Sequence, residues 1–278
     1  MDLGFRRAVV TGGAGFLGQR VSRRLLDQGT DVVCVDNLLE PFDVPGKVDL
    51  VMHLASPADR ARYRSEALER GGQGTRNALE LAAGKGARFV LASTRARPRG
   101  AYDEATRYAE ALTAAYRRAE LADTAIARIF STYGSGMRTD DGRMVPTFAR
   151  QALRGEPVTV AGDGTQTRSL CHVDDTVTGL VLLAASDLGG PVNIGNPDEA
   201  PVGEIARRII GLVGSSSPIC YSPRPVDDLM SRKPDITVAR LALGFEPRVP
   251  WREGLAETID WFRRITTEPR ALPTAATG

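Results

Sequence analysis

Apolar positions in this chain fall into short β-branched runs that alternate with longer stretches at three- and four-residue spacing. Ala8, Val9, Val10 and Thr11 read as a buried strand, and Phe16, Leu17, Val21, Leu25 and Leu26 then recur at helical spacing as far as Gly29. A second strand runs from Asp31 to Val35 and closes on Asp36. Val48 to Leu54, Arg88 to Ala92 and Thr124 to Phe130 read as further strands, with helices over 64–84 and 102–121 between them. This alternation predicts an α/β chain built on a Rossmann-like, doubly wound parallel sheet.

From Gly134 the composition shifts to Gly, Asp and Pro with shorter elements, which predicts a smaller C-terminal α/β substrate lobe. Its expected parts are a helix over 144–154, a strand over 157–161, the loop GDGTQTR and a helix over 202–213; 218–236 reads as irregular. His172 to Ala185 reads as a helix capped by Asp174, and Pro191 to Ile194 as a strand. The expected division is 1–133 with 168–195 and 237–265 as the dinucleotide-binding domain, and 134–167 with 196–236 as the lobe. The polar tail 266–278 is expected to be disordered.

Three glycines, Gly12, Gly15 and Gly18, separate the first strand from the first helix. Gly12 permits the sharp turn, Gly15 lets backbone approach a pyrophosphate, and Gly18 lets the helix pack on the sheet. The N–H groups at Phe16, Leu17 and Gly18 and the helix dipole attract phosphate. Asp36 can accept from an adenosine ribose and would repel a 2′-phosphate, which favours NAD over NADP. Asn37 and, at the end of the third strand, Leu54, Ala55 and Ser56 complete the candidate cofactor-facing set. A glycine turn with no ligand remains the alternative.

Only residues 38–47, with Pro41, Pro45 and Gly46 among them, separate Asp36 from the next strand. A parallel crossover takes about a dozen residues or more, so no helix plus strand fits there. The strand that usually walls the adenine pocket is therefore expected to be missing, with the strand ending at Asp36 at the sheet edge and NAD affinity reduced.

At 278 residues and 42% hydrophobic, the chain can bury a full core, and its net charge of +2 argues against a nucleic-acid surface. No apolar run approaches the roughly 18 residues of a membrane span. MDLGFRR enters a strand directly, so no signal peptide is expected. Cys34, Cys171 and Cys220 are scattered and in no metal spacing, which points to a reduced cytoplasmic setting. Of 36 basic residues only Lys47, Lys85 and Lys233 are lysines.

The segments TGGAGFLG, VDN, VDLVMHLASPA, LAST, YDEATRYAEAL, ARIFSTYG, DGRMVPTFARQALRGEPVTVAGDGTQTRSLCHVDD, PVNIGNP and RKPDI carry a resemblance over nearly the whole chain. It is similar to extended short-chain dehydrogenase/reductases of the NAD-dependent epimerase/dehydratase family, most of all their UDP-glucuronate decarboxylase branch. The resemblance implies NAD as cofactor, a nucleotide sugar (a UDP-sugar) as substrate, and oxidation at the sugar C4 followed by loss of CO2, water or a proton. It implies Tyr102 as the base and Thr94 as its hydrogen-bonding partner. It also implies Arg168 and Arg232 on the diphosphate, Asp235 orienting Arg232 or a ribose hydroxyl, and Ser131 where relatives carry a phosphate-proximal Asn. A homodimer through the helices over 66–83 and 102–121 is implied as well.

The chain departs from this pattern at Thr106, which stands where the family carries a lysine. A phenol titrates near 10, so working as a base at pH 7 needs about three units of lowering, roughly 4 kcal/mol. A lysine ammonium about 4 Å away would supply roughly that much; Thr106 supplies no charge. Arg107 lies on another helix face, and the loop of Arg95, Arg97 and Arg99 offers compensating charge only if it is not simply solvated. That loop is also shorter than in relatives, with Ala96 in place of a decarboxylase Glu, and Ala161 replaces an aromatic beside the uracil. Catalytically degenerate nucleotide-sugar binding and non-redox acid–base chemistry therefore stay open beside the enzyme reading. His53 and His172 read as packed structural residues, and Tyr108, Tyr116, Trp251 and Trp261 as core or dimer contacts.

Overall fold

The structure, a computed structural model, describes residues 4–36, 38–55, 65–94, 101–225 and 228–267. In chain order the elements are β1 (Arg7–Thr11), α1 (Phe16–Asp27), β2 (Asp31–Val35), β3 (Leu50–His53), α2 (Ser65–Lys85), β4 (Arg88–Thr94), α3 (Ala101–Arg118) and β5 (Thr124–Ile129). Then come β6 (Thr132–Tyr133), α4 (Met144–Leu153), β7 (Val158–Ala161), β8 (Thr167–Ser169), β9 (Cys171–His172), α5 (Val173–Ala184) and β10 (Pro191–Ile194). The chain ends with β11 (Glu199–Pro201), α6 (Val202–Val213), β12 (Ile219–Ser222), α7 (Thr237–Leu243) and α8 (Trp251–Thr267).

The main sheet has six strands in the order β10-β5-β4-β3-β1-β2, all parallel. Strand alternation explains why it is covered on both faces. Ala8 and Val10 of β1, with Leu50 and Met52 of β3, face one core with Val21, Leu25 and Leu180. Val9, Val51, Phe89 and Ile126 face the other, with Ala78, Leu79 and Ala82 of α2 and Ala109 of α3. Among the described residues β2 is the edge, and no strand lies beyond it where one would wall the adenine pocket, as expected from the short 38–47 segment. Residues 38–48 instead run over α2, with Leu38 and Val44 buried and Asn77 Nδ2 donating to the Leu38 carbonyl at 2.9 Å.

The lobe forms a separate core of α4, α6, β7 and α8, in which Trp251, Leu255, Ile259 and Phe262 pack with Phe148, Val158 and Ile205. Residues 237–265 are thus shared: α7 packs on β10 and α5, while α8 turns its apolar face to the lobe.

Two local readings are corrected. Within 218–236, read as irregular, Ile219–Ser222 is a strand parallel to β7; its exposed residues gave no alternating signal. Helix α5 is capped not by Asp174 but by His172, whose ring Nδ1 accepts the Asp174 N–H. Asp174 lies one position inside the helix, where its own N–H is one of the orphans that need an acceptor. Asp175 has a different task, accepting the N–H groups of Arg248 and Val249 at 3.0 Å each.

Candidate functional site

The glycine turn lies where β1, β3 and α1 meet. Gly12 has φ +71°, and a Cβ there would come within 2.8 Å of the Ala55 nitrogen, so the turn lies tight against the end of β3. A Cβ on Gly18 would collide with the Gly12 carbonyl oxygen. Gly15 is the N-cap of α1 and gives no side-chain bond to the first turn, which also carries no acidic residue. The first turn of α1 thus carries backbone N–H groups with no side-chain cap, the kind of arrangement that can bind a pyrophosphate. Asp36 Oδ2 accepts from the Ala14 N–H at 3.1 Å, which ties the end of β2 to the glycine turn. Gly12, Gly15, Phe16, Leu17, Gly18, Asp36, Leu54 and Ala55 thus gather at one end of the sheet, in an arrangement that fits NAD. Asn37 and Ser56 lie outside the described residues.

His53 is buried beneath this turn. Its Nδ1 lies 2.7 Å from Thr11 Oγ1 and its Nε2 3.1 Å from Thr75 Oγ1. Thr75 Oγ1 already donates to the Gly71 carbonyl, so it accepts from Nε2–H, and Nδ1 accepts from Thr11. Burial lowers the imidazole to about 4, so it is neutral and structural. It helps hold β1, β3 and α2 together just before Gly12.

Thr94 ends β4 and Tyr102 opens α3, at the same end of the sheet. Tyr102 is partly buried. Thr106 Oγ1 donates back to the Tyr102 carbonyl at 2.9 Å, so it is spent on the helix backbone. Two of the lysines are paired elsewhere, Lys47 with Asp49 and Lys85 with Asp43. Arg107 lies near Glu104, at 3.9 Å. Two turns below Tyr102, Glu110 accepts from Ser93 Oγ at 2.6 Å and from Arg128 Nε and Nη2 at 2.9 and 2.6 Å. This clasp fixes α3 on β4 and β5, and it commits the charge of Arg128 to Glu110. The loop of Arg95, Ala96, Arg97 and Arg99 lies outside the described residues.

In the lobe, a cavity of about 430 Å³ is lined by Phe148, Thr159, Ala161, Arg168, Asp228 and Arg232, among others. Arg168 stands on β8, paired antiparallel with β11, and its Nη2 donates to Asp228, 2.5 and 2.7 Å from the two carboxylate oxygens. Arg232 Nη2 reaches the same carboxylate at 3.0 Å. Glu199 holds the segment around Arg232 in place by accepting from Ser231 and Thr167 hydroxyls at 2.5 Å each. Those two bonds hold its carboxyl below the usual range. The two guanidinium groups named from sequence are thus brought together, by an Asp228 that sequence reasoning missed. Asp228 sits four residues before Arg232, a spacing that could have flagged it.

The Asp235 carboxylate accepts the Thr237 N–H at 2.9 Å at the start of α7, a local bond that the spacing Asp-x-Thr makes available. Neither Asp235 nor Ser131 lines the cavity. Ser131 is exposed, at φ +22°, and its carbonyl accepts from the Cys171 N–H. Trp251 is core, Tyr116 packs against the α2–α3 side, and Trp261 donates to the Met137 carbonyl. Tyr108 is half exposed, with its ring over Gly72. Among the described residues no cluster suited to a metal ion is present, and no helix is long and apolar enough to cross a membrane.

The sequence matches the model of the NAD dependent epimerase/dehydratase family over residues 8–195. UDP-glucuronic acid decarboxylase 1 of Danio rerio is 39% identical over 307 aligned positions, covering 93% of this chain and 73% of that protein. UDP-glucuronic acid decarboxylase 4 of Arabidopsis thaliana is also 39% identical, with coverages of 93% and 69%. The Danio alignment is longer than the 278-residue chain itself, so the relative carries residues that this chain lacks. Among solved structures, the UDP-glucose 4-epimerase of Thermotoga maritima with UDP-glucose superposes with TM-score 0.85 at 25% identity, over 94% of this chain and 99% of that one. MoeE5 in complex with UDP-glucuronic acid and NAD gives 0.81 at 29% identity, over 93% and 99%.

Proposed function

This chain belongs to the NAD dependent epimerase/dehydratase family, and from that premise we propose that it binds NAD and a UDP-sugar and acts at the sugar C4, as a decarboxylase of UDP-glucuronic acid. The observation that carries this reading is the pair of guanidinium groups, Arg168 and Arg232, converging in one cavity. Their planar forks suit a diphosphate.

In this reading the first N–H groups of α1 hold the cofactor pyrophosphate, and Asp36 accepts a ribose hydroxyl. Arg168 and Arg232 hold the substrate diphosphate, and Phe148 and Ala161 flank the base. Tyr102 takes the proton of the C4 hydroxyl, with Thr94 bonding the same oxygen. NAD, when bound, supplies the hydride acceptor. A 4-keto uronic acid is a β-keto acid, so loss of CO2 then needs no further cofactor; a proton taken up at C5 replaces the CO2, and return of the hydride to C4 would give the UDP-pentose and restore NAD. The same reading includes a homodimer through α2 and α3 that covers the half-exposed Tyr108, and a reducing cytoplasmic setting in keeping with three free cysteines.

One observation favours a second reading, a member that binds nucleotide sugar without hydride transfer: the family's lysine position is held by Thr106, whose hydroxyl is bonded to its own helix. One experiment separates the two. The purified protein is denatured and the supernatant assayed for NAD, and the native protein is incubated with UDP-glucuronic acid. Released NAD together with CO2 and a UDP-pentose supports the decarboxylase; a bound UDP-sugar with neither product supports the second reading.

A further inference from the structure

Arg168 is almost fully spent inside the protein. Its Nη1 donates to the Thr167 and Leu229 carbonyls at 2.6 and 3.0 Å, and its Nη2 donates to both oxygens of Asp228. Of the five N–H groups of a guanidinium, only Nε–H is left over. The Arg168 and Asp228 side chains are 11% and 14% exposed, so this ion pair is largely withdrawn from water, and Asp228 also takes Nη2 of Arg232. The carboxylate therefore bridges the two guanidinium groups inside the cavity. A phosphoryl oxygen cannot take bidentate bonds from Arg168 while Asp228 keeps them.

We propose that Asp228 is a displaceable internal anion, a stand-in for the diphosphate that keeps the Arg168–Arg232 cradle paired and admits only ligands able to replace the carboxylate on both guanidinium groups. The proposal rests on the nucleotide-sugar reading only for the ligand's identity; the displacement itself concerns the two arginines and any ligand with two phosphoryl groups. Buried guanidinium groups without a partner are costly, which explains why a carboxylate is kept there when no ligand is bound. Every phosphate-bearing ligand then faces the same fixed cost of breaking the Asp228 bonds. Removing the carboxylate charge lowers that cost by one common factor, whatever else the ligand carries.

The test is calorimetry of the full chain, wild type against Asp228→Asn, with inorganic pyrophosphate and with UDP-glucose. The expected result is tighter binding of both probes in D228N by a similar factor, on the order of tenfold, the value of one charge-assisted hydrogen bond no longer given up. A carboxylate that merely positioned the arginines, or that bound the ligand itself, would give weaker binding in D228N, and unchanged or weaker binding overturns the proposal. Tighter pyrophosphate with no UDP-glucose binding in either protein leaves the stand-in intact and removes the nucleotide-sugar reading. Equal UDP-glucose affinity in both proteins does the reverse. If D228N does not fold, Asp228→Ser repeats the comparison. The ¹⁵N-arginine spectrum of the wild type gives an independent check: Arg168 side-chain resonances must shift on adding pyrophosphate, and resonances that stay put overturn the proposal.

Discussion

The two ends of the site differ in how their charges are arranged. At the sheet end, where α1 and α3 begin, the groups proposed to bind are backbone N–H groups and one carboxylate, Asp36, and the position of the expected cation is held by Thr106. In the lobe, two guanidinium groups and a carboxylate interlock within 3.0 Å of one another. Among the described residues the sheet end also has no strand beyond β2. On the proposed reading the cofactor end relies on its backbone scaffold, whereas the substrate end keeps its charges and satisfies them internally. Backbone geometry survives the loss of side chains, and that is why the sheet end keeps its shape without its ammonium.

The strongest way to break this contrast is to restore the ammonium. Thr106→Lys should favour the Tyr102 phenolate by about 4 kcal/mol, and so raise turnover of UDP-glucuronic acid by up to about 10³-fold near neutral pH. Unchanged turnover in a protein that holds both ligands would show that more than the charge is missing.

Gly18→Ala attacks the scaffold itself. The new methyl meets the Gly12 carbonyl, fixed backbone that cannot yield cheaply. A cost of about 3 kcal/mol should weaken NAD binding by roughly 100-fold, read by fluorescence titration, with UDP-glucose binding kept. Parallel loss of both ligands would mean that the two ends are not separable.

The pH dependence of stability sharpens the contrast further. His53 falls from 6.5 to about 4 on folding because burial disfavours the imidazolium. The unfolded chain takes up that proton first, so stability is full above pH 6.5 and is lost as pH falls toward 4. The slope should approach about 1.4 kcal/mol per pH unit in urea titrations, and His53→Gln should flatten it. A slope that persists in H53Q would assign it to other groups.

The smallest effect tests the lobe. Arg168→Lys keeps the charge but not the fork, and should weaken UDP-glucose binding by about tenfold while NAD binding stays the same. An unaffected UDP-glucose affinity would remove Arg168 from the cradle.

Much of the scaffold was legible in the sequence because the forces that set it are short-range. Glycine spacing, β-branched runs and a ten-residue gap containing two prolines dictate a tight turn, buried strands and a missing crossover through local sterics and chain length. The same holds for Thr106, whose lack of charge is a property of the residue. Other features could not be read along the chain. His172 caps α5 because its ring reaches an N–H two residues on, which the Asp174–Asp175 pair obscured. The strand Ile219–Ser222 pairs with β7 without an alternating pattern because so much of it is exposed.

By itself, then, the sequence determined the glycine turn, the truncated sheet edge and the vacancy in charge at position 106, all consequences of neighbours a few residues apart. Tertiary structure alone decided that Arg168 meets Asp228 across 60 positions of chain, and that Glu110 draws in Arg128 from 18 positions away. Such pairings depend on how strands and loops register once the core has formed. A carboxylate finds its guanidinium only when burial removes the water that would otherwise satisfy both.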